Sequence, residues 1–201
     1  MSHFLTLEVN HRVKNIYYIK QGITFDSSNN FYLADTKVLR VVDNKAVKIS
    51  GVYFKSPEGK EIELITKEFD NEEFRELSSL AYNKEDNCIY VCDSGPFGTT
   101  SLNKPSGSLY LIEIDSLVMR PLLHNCLSHP SDVIYDSNLG MVYVADTYSN
   151  KIIRLSQNPA GTYHASVFHQ FNGLIGPTSL AVDDAGNLYV GRFEYQVIAI
   201  L

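Results

Sequence analysis

PSDVIYDSNLGMVYVADTYSNKIIRL, Pro130 to Leu155, holds three short apolar runs: Val133–Tyr135, Met141–Ala145 and Ile152–Leu155. Each is bounded by Asp, Ser, Asn or Gly. Runs of roughly 4 to 8 residues, rich in Val, Ile and Tyr and set between turn residues, read as β-strands. The middle run is apolar on consecutive residues, so both of its faces must be covered. A small sheet lying between two others meets that demand.

The pattern recurs in QGITFDSSNNFYLADTKVLRVV from Gln21, LSSLAYNKEDNCIYVCDSG from Leu77 and PTSLAVDDAGNLYVGRFEYQVIAIL from Pro177. The first turn begins at Asp26, Asn83, Asp136 and Asp183, and the second strand ends at Asp35, Asp93, Asp146 and Arg192. Short strands repeating about every 50 residues are the signature of a β-propeller rather than of a helical solenoid. We therefore expect an all-β fold, a β-propeller of four-stranded antiparallel blades with four blades legible. Residues 1–201 read as a single domain, with 1–20 as closing strands and 21–76 as blade 1 plus an inserted hairpin. Blade 2 is 77–129, blade 3 is 130–175, and blade 4, incomplete, is 176–201. Three alternatives stand: a compact four-bladed ring, an open arc that needs more protein, or a larger ring with degenerate blades.

A chain of 201 residues is long enough for one domain with a substantial core. Its formal net charge of −6 argues against general nucleic-acid binding, which needs basic patches. No run approaches the roughly 18 apolar residues of a membrane span, and MSHFLTLEVN lacks the basic start and apolar centre of a signal peptide. The expectation is a soluble cytoplasmic protein. Cys88 and Cys92 lie about 13 Å apart along one predicted strand, too far to bridge. Cys92 fills the slot of Ala34, Ala145 and Gly191 and reads as a small buried residue. A disulfide to Cys126 stays open.

In chain order, Phe4–Val9 and Asn15–Ile19 are strand-like and are placed to complete the last blade. After blade 1, Ser56-Pro57-Glu58-Gly59 is a turn between Val52–Phe54 and Ile62–Ile65, which reads as an extra hairpin. Lys67–Glu76 reads as a solvated connector. Ser94–Gly107 is a long loop within blade 2, and loops of that length are often functional.

Pro130-x-x-Val133-x-x-Asp136, a turn, Tyr143-Val144-Ala145-Asp146-Thr147 and Asn150-Lys151-Ile152-Ile153-Arg154 together resemble the NHL repeat. They are similar also to the senescence-marker-protein/gluconolactonase-like and strictosidine-synthase-like propellers. The gluconolactonase resemblance implies a divalent metal at the top of the channel, held by Glu, Asn and Asp just before each inner strand's apolar core. The matching positions here are Gln21, Ser78, Ser131 and Thr178, so every carboxylate is missing. Calcium takes six to eight oxygen ligands, usually several of them charged. Asp132 is one residue along, facing away from the channel on a regular strand, and replaces the lost ligand only if the register bulges there. The expectation is no metal and no cofactor; if a metal is bound at all, Gln21 and Asp132 are its candidates.

Asp35, Asp93 and Asp146 recur at equivalent places, so they cannot converge on one substrate. They read as acceptors of backbone hydrogen bonds that tie blade to blade, assisted by Thr36, Ser94 and Thr147. His124, His129, His164 and His169 give no metal spacing, and Ser94 has no strand-turn-helix elbow to make it a nucleophile. Phe97 and Leu102 in the long loop, with Arg192, Phe193 and Tyr195, are the candidate partner-binding residues. With the scaffold kept and the metal positions emptied, the chain reads first as a non-catalytic interaction or structural module. Its partners are then other proteins, in a large complex or a cytoskeletal assembly. The alternative is a metal-dependent lactonase or esterase of the gluconolactonase type.

Overall fold

Two tyrosine-containing stretches, Cys88–Asp93 and Met141–Asp146, lie at the heart of the fold because they are covered on both faces at once. The computed structural model describes residues 22–42, 45–58, 63–66, 68–95, 104–173, 176–192 and 197–201, with seventeen strands and no helix among them. The expected closing strands in 1–20, together with Gln21, Phe97, Leu102, Phe193 and Tyr195, lie outside the described residues.

Blade 1 pairs β1 (Ile23–Phe25), β2 (Phe31–Val42), β3 (Lys45–Lys55) and β4 (Glu63–Thr66) in that order. A two-stranded connector follows, β5 (Glu68–Phe69) with β6 (Glu72–Glu73). Blade 2 consists of β7 (Leu77–Asn83), β8 (Cys88–Asp93), β9 (Gly107–Glu113) and β10 (Met119–Leu127). Blade 3 is β11 (Pro130–Asp136), β12 (Met141–Asp146), β13 (Lys151–Gln157) and β14 (Tyr163–Gln170). Blade 4 shows three strands, β15 (Pro177–Val182), β16 (Leu188–Arg192) and β17 (Val197–Ile200). All pairings are antiparallel between sequence neighbours, the meander of a propeller blade.

Each inner hairpin is closed by the Asx chemistry expected of its turn residue. Asp26 accepts from the Ser28 and Asn30 amides, Asn83 from Glu85 and Asp86, Asp136 from Asn138 and Leu139, and Asp183 from Ala185 and Asn187. In blades 1 and 4 the second strand's tyrosine completes the clasp. Tyr32 and Tyr189 donate their hydroxyls to Asp26 and Asp183 at 3.0 and 2.9 Å.

The core lies between blades. On β8, Ile89 and Val91 pack toward blade 1 with Tyr32, Val52 and Leu77, while Cys88, Tyr90 and Cys92 pack toward blade 3 with Val133, Val142 and Val144. On β12, Tyr143 and Ala145 turn instead to blade 4 and meet Leu188 and Val190. Alternation on a strand sends neighbours to opposite faces, so a strand covered on both sides must be apolar at every position. The Tyr90 and Tyr163 hydroxyls meet at 2.8 Å across the blade 2–blade 3 interface, and Asn83 donates to Tyr90 at 3.1 Å.

Blade 1 differs from its sequence reading. Val52–Phe54 belongs to its third strand, paired Ala34↔Val52 and Tyr32↔Phe54, and Glu63–Thr66 is its fourth. The excess pairing is instead the outer part of the β2–β3 hairpin, from Val38↔Ile49 to Val42↔Lys45, beyond a bulge between Asp35 and Val38. That bulge breaks the alternation and made one long strand look like two. The 67–76 connector is not merely solvated either. Phe69 and Phe74 sit on Tyr110 with ring centroids 5.4 and 5.7 Å apart, and Phe74 is buried.

Candidate functional site

The inner strands of blades 2, 3 and 4 share one irregularity. Their ladders slip by one residue between Leu77 and Ser79, between Pro130 and Asp132, and between Pro177 and Ser179. The residue left unpaired is Ser78, Ser131 or Thr178, the positions where the resemblance places metal ligands. A bulge lets two consecutive side chains turn to the same side. In blades 2 and 3 both members of the pair accordingly address the neighbouring inner strand.

The first member of each pair is a fastener. Ser78 donates its hydroxyl to the Pro130 carbonyl at 2.7 Å, and Ser94, at the end of β8, donates to the same oxygen at 2.6 Å. One blade on, the Pro177 carbonyl receives Thr147 at 2.8 Å, with the Ser131 hydroxyl at 3.4 Å from it and 3.2 Å from the Thr178 carbonyl. Thr178 turns to Gly191 of its own blade at 3.2 Å. Proline suits the start of an inner strand because no ladder donor is lost there.

The second member is Ser79, Asp132 or Ser179, matched in blade 1 by Gly22. Ser79 accepts from the Val133 amide of the next blade at 3.3 Å, and Asp132 accepts from Leu180 of the blade after at 2.7 Å. At Gly22 the backbone comes so near that an added Cβ would sit 2.2 Å from the Leu80 nitrogen. Only glycine permits that approach.

Asp132 is the one carboxylate in this network among the described residues. Its Oδ1 accepts the Ser79 hydroxyl at 2.6 Å and the Val133 amide at 2.9 Å, and its Oδ2 accepts Leu180. Burial pushes its pKa above the usual carboxylate value, against the opposing pull of those three donors. A carboxylate oxygen accepts about two hydrogen bonds, so Oδ2 keeps a lone pair for water or substrate. The residue as a whole is only partly covered.

The repeated carboxylates face elsewhere. Asp93 binds the Arg75 and Glu76 amides at 3.0 and 2.9 Å and the Gly95 amide at 3.0 Å, which fixes the lead-in to its own blade. Asp146 accepts Ser149 at 2.6 Å. Burial raises its pKa, while Ser149 and the Ser128 and His129 amides oppose the rise. Asp93 and Asp146 thus accept backbone amides from the segments that lead from one blade into the next, while Ser94 and Thr147 reach the inner strand of the following blade. The Asp35 side chain lies outside the described part of β2.

Arg192 lies flat on Phe171, its guanidinium 4.6 Å from the ring centre, and donates to the Asn172 carbonyl at 2.7 Å. His129 stacks on Tyr148 at 4.7 Å. Ser94 is buried against Pro130. All three cysteines are free, with burial pushing the Cys88 thiol to about 12. Among the described residues no group of three or more His, Cys, Asp or Glu is arranged for a metal. Sequence reasoning missed Ser79 and the two proline carbonyls. The hints were Pro130 and Pro177 opening successive repeats, with Ser94 and Thr147 after the repeated aspartate.

The chain is similar to the lactonase drp35 of Staphylococcus haemolyticus, 22% identical over 212 residues, covering 86% of this chain and 63% of that protein. It thus spans under two thirds of that relative's length. A solved structure assigned as a gluconolactonase aligns with TM-score 0.67 at 15% identity, covering 90% of this chain and 59% of the other. A luciferin-regenerating enzyme gives 0.64 at 14%, covering 92% and 72%. A calcium-binding protein, regucalcin, from Agrobacterium tumefaciens gives 0.59 at 16%, covering 90% and 69%. No family model matches the chain. The structural neighbours include gluconolactonase-like β-propellers, and NHL naming finds no support beyond the repeat pattern. The comparisons overturn the expectation of a non-catalytic interaction module, because the relative and these neighbours bear the names of lactonases and related enzymes.

Proposed function

We propose that this chain belongs to a lactonase-type hydrolase that opens small cyclic esters at the propeller hub. The observation that carries the reading is Asp132: a partly buried carboxylate of raised pKa at the hub, held by three donors from three blades. Groups whose pKa is shifted by burial at a concave site are candidate acids and bases. The similarity to a curated lactonase supports the same class.

The metal of the resembling family does not fit the donors present. Ser78, Ser131 and Thr178 are neutral and already donate to carbonyls, and Asp132 alone carries charge. The chemistry assigned to this chain therefore runs through Asp132. Its carboxylate takes a proton from a water as the water oxygen bonds to the lactone carbonyl carbon. The ring C–O bond then breaks, and the protonated carboxyl returns that proton to the departing alkoxide, leaving a hydroxy acid. Burial favours this role, since it brings the pKa nearer to working pH.

The test is a pH-stat assay of the folded protein against γ- and δ-aldonolactones and a thiolactone. We expect turnover above buffer, lowered roughly 100-fold or more by Asp132→Asn. Full turnover in that variant, or no opening of any lactone by folded wild type, sinks the reading.

A further inference from the structure

We infer that the hub of this chain has exchanged cation binding for a lattice of hydroxyl-to-carbonyl and amide-to-side-chain bonds, so that it takes no divalent cation. As an account of catalysis this rests on the hydrolase reading; as a statement about binding it stands by itself.

Calcium needs its dehydration offset by several oxygen donors, usually with more than one negative charge. The three described ligand positions supply neutral hydroxyls. Each of them donates to a backbone carbonyl: Ser78 to Pro130 and Ser131 to Thr178 across blades, Thr178 to Gly191 within its own blade. These oxygens retain lone pairs but bring no charge. Asp132 brings one charge, and three of its lone pairs already face the Ser79 hydroxyl and the Val133 and Leu180 amides. Those donors answer the charge as an ion would.

Two further carboxylates at this end of the blades are described, Asp93 and Asp146. Asp93 is filled by the amides of Arg75, Glu76 and Gly95, and Asp146 is turned to Ser149. Gln21, the fourth position matched by sequence, lies outside the described residues. The bulge that brings Asp132 toward the hub thus restores a carboxylate there without restoring a metal site.

The experiment titrates calcium alone into the folded chain, by calorimetry and by thermal shift, in wild type, Asp132→Asn and the double variant Ser131→Asp/Thr178→Asp. Lactone hydrolysis is measured in parallel with and without chelator. We expect no saturable heat and no Tm shift in wild type up to about 1 mM calcium, the weak end of protein calcium sites. Hydrolysis should change less than twofold on chelation, and the double variant should bind calcium at least tenfold more tightly than wild type. Stoichiometric binding by wild type below that concentration, lost in Asp132→Asn, overturns the inference whether or not the double variant folds. A silent calcium titration with no lactone opened removes the hydrolase reading and leaves this one standing.

Discussion

Asp132 and Asp146 make the pH behaviour of this protein unusual. Burial raises both pKa values above that of an unfolded carboxylate. Between the unfolded and folded values the native state holds more protons than the unfolded chain, so their contribution declines as pH rises through that window. Asp26 and Asp183 act in the opposite sense. At Asp26 burial pushes upward, but hydrogen bonds from Asn30, Ser28 and Tyr32 prevail; at Asp183 the bonds from Asn187 lead. Their contribution is present above the unfolded value and lost as pH falls through the folded one. In urea unfolding from about pH 3.5 to 7, the stability of Asp132→Asn relative to wild type should therefore improve as pH rises. A constant gap contradicts the raised pKa. At this scale the turn residues Asp26, Asn83, Asp136 and Asp183 were legible, since an Asx turn is local. The engagement of Asp132 was not, because its partners Ser79 and Leu180 lie some fifty residues away in either direction.

Between elements, the shared carbonyl of Pro130 gives a sharp expectation. Ser78 and Ser94 both donate to it, so removing either leaves it satisfied. Ser78→Ala and Ser94→Ala should each cost about 1 kcal/mol, and the pair together about 1 kcal/mol more than their sum, because a buried acceptor is then left without these donors. A chemical-denaturation cycle that is additive within about 0.3 kcal/mol would count against the shared acceptor. The repeat register was readable because β12, buried on both faces, had to be apolar throughout. The bulges at Ser78, Ser131 and Thr178 were not, since an offset between paired strands leaves no mark in either strand alone. Blade 1 was misread for the same reason, its bulge after Asp35 posing as a strand end.

Across the whole molecule, the apolar clusters lie at blade boundaries, joining blade 1 to 2, 2 to 3 and 3 to 4. No described blade has a core of its own, so none should unfold alone. With no tryptophan and 13 tyrosines, of which several sit at these boundaries, tyrosine fluorescence reports the interfaces. Its unfolding curve should coincide with that from far-ultraviolet circular dichroism, and separated midpoints would refute interdependence. Propeller architecture was plain from the repeat. In the sequence the emptied ligand positions read as lost chemistry, whereas in the fold a shift of one residue brings a carboxylate to the hub.

That shift has a further consequence. In blades 2 and 3 two adjacent side chains turn to the same neighbouring strand, and in blade 3 one latches while its neighbour carries charge. Such a division of labour lets selection redraw the electrostatics of the axle one codon at a time, leaving the vanes and their seams untouched.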